Sequence, residues 1–274
     1  MNRIYRLFGV FGIFGAILPA GALAACVAFI SGFSPINAFY NELGLFSGGY
    51  FTLSLALLVN LSFVLFGLLF GALMLADAFA KDTLSSTVLG FFGALTGVFA
   101  MALGIFTINF TQYHYIVSAA FHISAFVLCA LYAVLKLTAR GKKPVATIIS
   151  AVLTCAASGA YAWYILSGGM SAYLVASAST ASRAGIEPLA LVGWAAIALL
   201  MVFTVLFSIG LLAAKRKKAD AQELLRPNVT NDDDKSLDDV LEEITDEPLE
   251  ESLGAGLQKS FDESAEDDDS LYGL

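Results

Sequence analysis

The residues best suited to acid–base chemistry are few: two histidines, His114 and His122, and the isolated acid Glu42. An imidazole and a carboxylate near neutral pH can accept, donate or relay a proton. Two His and one Glu are also enough for a zinc site with an open position. Glu42 is the only acid in the segment Asn37-Ala38-Phe39-Tyr40-Asn41-Glu42-Leu43-Gly44. Asn109, Gln112 and His114 cluster further along, and His122 follows His114 by about two helical turns with Ser118 between. At the ~100° turn of a helix, positions 114, 118 and 122 drift through about 80° and line one stripe. Asn60 stands alone in an apolar run. A strongly polar group there is a functional candidate, because leaving it unpaired in hydrocarbon costs several kcal/mol.

Glu42, Asn60, Asn109, His114 and His122 are therefore expected to form a polar pocket, with Glu42 as acceptor or base and His114 opposite. The simpler alternative is an interfacial His114 and a His122 that bonds a neighbouring helix. No H-E-x-x-H spacing supports a metal, and no G-x-S-x-G, phosphate loop or dinucleotide fingerprint is present. No catalytic residue, cofactor or metal follows from the sequence. Cys26, Cys129 and Cys155 are odd in number and widely spaced, and read as small buried hydrophobes.

The elements that position these groups are apolar and long. The chain is 58% hydrophobic, with a mean hydropathy of +0.78, well above ordinary soluble usage. Runs without charge, each able to cross a ~30 Å hydrocarbon core, fall at about 7–31, 51–76, 87–108, 115–135, 145–166 and 189–214. Their unbroken apolarity argues for helices, since barrel strands would alternate polar and apolar. The expected fold is all-α, a polytopic six-helix transmembrane bundle over residues 1–218, followed by a mostly disordered acidic tail at 219–274. Leu23-Ala24-Ala25-Cys26 matches a lipoprotein cleavage box. The apolar run continues beyond it, so the start reads as a first helix.

Charge sets the expected orientation. The first 218 residues carry twelve basic and four acidic groups, net +8, and the last 56 carry three and nineteen, net −16. Eleven basic residues fall on one side of the spans and only Arg183 on the other, a positive-inside pattern that puts both termini in the cytoplasm of a cell-membrane protein. Asp77 and Asp82, beside Lys81, read as a solvated turn at the inner edge. Gly9, Gly12 and Gly15, Gly67 and Gly71, and Gly93 and Gly97 have helix-packing spacing, which serves either the bundle itself or a homo-oligomer. Pro19 implies a kink or a locally opened ladder in the first span.

The tail holds one patterned segment. Ser236-Leu237-Asp238-Asp239 is a capping box, and Leu237, Val240, Leu241 and Ile244 share one stripe of a short helix at 236–245. Such a stripe suits a basic cytoplasmic protein partner, while Lys215-Arg216-Lys217-Lys218 suits lipid headgroups. Membrane lipids are expected contacts, and nothing points to nucleic acid. Two functional classes remain: a non-enzymatic accessory or scaffold protein whose tail docks a partner, and an outer-leaflet pocket for a lipid or small solute, as in a transporter or intramembrane hydrolase. The absence of recognisable reaction motifs favours the first.

Across about residues 8–214 the chain resembles a prokaryotic membrane family known as domain of unknown function 998. The resemblance rests on Asn41-Glu42-Leu43-Gly44 after the first helix, Asn60 followed by Gly67, and Gly104-Ile105-Phe106 before His114. It departs at Asn41, where the family commonly has Ser, and at Thr107, where Pro often follows the Phe. It implies six helices and draws attention to Glu42 and His114, without implying an activity.

Overall fold

The computed structural model describes residues 2–30, 33–45, 53–81, 83–139, 144–178 and 187–224. Six helices account for nearly all of these: α1 (Asn2–Phe29), α2 (Leu53–Lys81), α3 (Leu84–Ile105), α4 (Thr111–Thr138), α5 (Val145–Ala178) and α6 (Pro188–Leu224). No strand occurs among the described residues. Each helix contains a segment long and apolar enough to cross a membrane, with mean hydropathy from 1.7 in α5 to 2.6 in α6. The chain is an all-α, multi-pass membrane protein. At 1.5 Å per residue, even the shortest helix, α3 with 22 residues, spans about 33 Å.

The chain divides into Met1–Asp220, which holds the bundle, and Ala221–Leu274. Of the second part only the end of α6 is described, so the stripe Leu237, Val240, Leu241 and Ile244 lies outside the described residues. α1 runs unbroken through Pro19.

Sequential helices are neighbours, α1 on α2, α2 on α3, α3 on α4 and α4 on α5, and the last three pairs are joined by short connections. The α2–α3 junction is set by Thr83, whose hydroxyl caps the Ser86 amide while the Ser86 hydroxyl accepts from the Thr83 amide at 3.2 Å. α2 and α3 approach closely because glycines face each other. A side chain at Gly97 would strike the Gly67 carbonyl and the Gly71 backbone, and one at Gly104 would strike the Asn60 carbonyl. Gly9 and Gly12 in turn admit Leu212 and Ser208 of α6. These small-residue faces are used inside the bundle. Several span hydroxyls bond their own helix one turn back, as in Thr96 to the Phe92 carbonyl (2.8 Å) and Thr204 to the Leu200 carbonyl (2.8 Å). That satisfies them where no water is at hand.

The solvated-turn reading of Asp77 is corrected by the structure. Its side chain is only 6% exposed, on a face of α2 turned into the bundle, and Lys81 Nζ lies 2.6 Å from Oδ2. The α2 span reaches Lys81 and so includes Asp77, and the helix face decides burial. α2 is so uniformly apolar that its sequence does not define an inward stripe.

Candidate functional site: a polar cavity closed by a buried loop

The α1–α2 connection is not a solvated loop. Residues 40–44 form one 3₁₀ turn, and Tyr40, Asn41, Glu42, Leu43 and Gly44 are all buried. Apolar Phe39, Tyr40 and Leu43 drive this burial, each at most 2% exposed. Loop backbone that enters a bundle must find hydrogen-bond partners, and here other elements supply them. Asn60 Nδ2 of α2 donates to the Gly44 carbonyl at 3.0 Å, and Trp194 Nε1 of α6 donates to the Ala38 carbonyl at 2.8 Å. The Glu187 amide donates to the Ile36 carbonyl at 2.9 Å. Gly44 is required by this fit, since a Cβ there would overlap Asn60 Oδ1.

Beneath the turn lies a small polar cavity lined by Tyr40, Asn41, Gly44, Asn60, Thr107 and His114, with Val59, Phe63 and Leu103 as its apolar wall. It offers about 10 Å³ to a water-sized sphere, room for a single water. His114 enters from the first turn of α4, and its Nδ1 lies 2.6 Å from the Phe106 carbonyl. A carbonyl only accepts, so Nδ1 carries the proton, and in the neutral ring Nε2 is the acceptor.

The structure brings Asn60 and His114 to one cavity, together with Asn41 and Tyr40. Glu42 is buried in the same turn, 3% exposed, but does not line the cavity. Asn109 is exposed at the rim and reaches the site indirectly, its Oδ1 accepting from the Thr107 hydroxyl at 3.2 Å. His122 lies in a separate layer, fully buried, with Nε2 3.0 Å from the Tyr40 hydroxyl and its ring 4.4 Å from that of Tyr161. His122 Nδ1 and Ser118 Oγ are buried without a hydrogen-bond partner among the described residues. They do not bond each other, so no Ser–His dyad is assembled. No three His, Cys, Asp or Glu among the described residues are placed to hold a metal ion.

Two residues that the sequence reading passed over organise the site. Tyr40 touches Phe63, His122, Tyr161 and Trp194, with ring centroids 6.0 to 6.4 Å apart. Trp194 also lines an apolar groove of about 670 Å³ between α1 and α6. Small residues open it: Ala16, Ala20, Ala24 and Ala28 on α1, and Ala198 on α6. Tyr40 and Trp194 thus stand edge to face as the partition between the polar cavity and the groove. The signal for Tyr40 was an aromatic pair, Phe39-Tyr40, directly before Asn41-Glu42 in a connecting segment.

No protein-family model, curated protein or solved structure matches this chain.

Proposed function

We propose that this protein binds a lipid-like amphiphile from the outer leaflet, with the apolar chain in the α1–α6 groove and the polar group toward the cavity under the 3₁₀ turn. The observation that carries this reading is the shared Tyr40–Trp194 wall between a 670 Å³ apolar groove and a polar cavity. Ligand sites combine a mostly apolar volume of roughly 300–1,000 Å³ with a few fixed polar groups, and the groove and cavity together have that composition. The cavity alone is too small for a headgroup, so binding requires Tyr40 to turn or the loop to lift. The positive-inside pattern supports an outer location for this end of the bundle and cytoplasmic termini. The scaffold role expected from the acidic tail rests on residues outside those described.

Trp194 reports on the groove. In a Trp163→Phe background it is the sole tryptophan, and phospholipids brominated along the acyl chain should quench it after reconstitution. Ala24→Phe, which fills the groove from α1, should reduce that quenching at least twofold. Unchanged quenching would remove the groove from the reading. In cells that depend on the protein, His114→Gln should abolish function while deletion of residues 236–274 is tolerated. The opposite pattern would restore the scaffold role.

A further inference from the structure

A second polar cluster lies at the opposite, basic end of the bundle, where α2 and α4 end and α5 begins. Asp77 and Lys81 contribute from α2, Tyr132 and Lys136 from α4, and Thr147 and Ser150 from α5. Lys81 Nζ lies 2.6 Å from Asp77 Oδ2. Tyr132 hydrogen-bonds Thr147 and lies within electrostatic range of Asp77. Lys136 stands 5.8 Å over the Tyr132 ring and feels both Lys81 and Asp77. Thr147 and Ser150 share one face of α5, one turn apart, and both are buried. The three charged groups leave a net +1 near the ends of α2 and α4. Asp77 Oδ1 and Ser150 Oγ are buried with no hydrogen-bond partner among the described residues.

Both deficits describe a ligand. The surplus positive charge calls for a single negative charge, and the exposed Lys81 and half-buried Lys136 leave their ammonium groups open to one. Asp77 Oδ1, an acceptor only, calls for a hydrogen-bond donor on the same ligand. Buried polar groups are normally satisfied, and an orphan acceptor beside two lysine side chains marks an unfilled position. Basic pockets between helix ends on the cytoplasmic side are where anionic headgroups bind. We propose that this cluster is a binding site for an anionic phosphodiester lipid whose headgroup carries hydroxyl donors, of the phosphatidylglycerol type. Its phosphate lies on Lys81 and Lys136, and a headgroup hydroxyl reaches Asp77 Oδ1 as the Lys136 chain moves aside.

The test is lipid retention by the full-length protein, measured by native mass spectrometry from defined mixtures. Phosphatidylglycerol should be retained about tenfold over phosphatidylcholine, equivalent to ~1.4 kcal/mol. It should also be preferred to phosphatidylmethanol, which has the same charge but no hydroxyl. The double variant Lys81→Gln/Lys136→Gln should lose the first preference, whereas Lys142→Gln/Lys143→Gln should keep it. Asp77→Ala, which removes the acceptor, should lose only the preference for phosphatidylglycerol over phosphatidylmethanol. Equal retention of phosphatidylglycerol and phosphatidylcholine, or a preference that survives loss of both lysines, overturns the site. Equal retention of the two anionic lipids overturns the donor assignment. Displacement of bound lipid by glycerol phosphate at comparable concentration would make a soluble phosphate ester the ligand and overturn the lipid.

Discussion

The Tyr40 hydroxyl and His122 Nε2 are joined at 3.0 Å across 82 positions of sequence, and this bond ties the buried loop to the centre of α4. Tyr40→Phe should therefore destabilise the protein by about 1–3 kcal/mol, because it leaves both His122 ring nitrogens without partners in a dry layer. The double variant Tyr40→Phe/His122→Leu should cost less than the sum of its parts, since removing both groups removes the orphan. Chemical unfolding in detergent measures the cycle, and strict additivity would show that the two residues are not coupled.

Gly44 has no space for a side chain. Gly44→Ala should cost about 1–3 kcal/mol through overpacking against Asn60. Asn60→Ser should recover part of that cost in the double variant by clearing the overlap, although alone it loses the bond to the Gly44 carbonyl. The same unfolding assay decides: no recovery in the double variant would mean that the collision is not with Asn60.

The helices were legible because charge-free apolar runs have one stable solution in lipid. Asn60 and His114 stood out in the sequence because polar groups are rare in such runs, and both line the same small cavity. What escaped were groups whose role depends on which way they face. Tyr40 and Trp194 were not singled out by the sequence, and only the folded loop shows them dividing a groove from a cavity. Asp77 read as part of a solvated turn and instead lies within α2 on its buried face, since a helix apolar on every face gives no rotational signal. Loop burial was obscured by the general rule that connections run over the surface. The counter-signal was the apolar set Phe39, Tyr40 and Leu43.

Packing between α2 and α3 depends on backbone contact. Gly97→Leu would drive a branched side chain into the Gly67 carbonyl and the Gly71 backbone, neither of which can rotate aside. The expected result is loss of the folded bundle, beyond about 3 kcal/mol. Gly21→Leu has open space around its Cβ and should be tolerated. Comparing yields of monodisperse protein distinguishes them, and equal yields would refute close α2–α3 packing.

Trp194 holds the loop from the α6 side through its bond to the Ala38 carbonyl. Trp194→Phe keeps the apolar wall but deletes the indole N–H, leaving a carbonyl short of one partner at a net cost of about 1–1.5 kcal/mol. The loop is fastened independently by Glu187 at Ile36 and by Asn60 at Gly44, so loss of one tie should loosen it without unfolding the bundle. Hydrogen exchange of amides in 36–45 should accelerate about tenfold, while α2 and α3 amides keep their rates. If the loop is the element that lifts to admit a polar headgroup, the same variant should exchange bound lipid faster. Faster amide exchange without faster lipid exchange would assign the entry route to Tyr40 rotation instead.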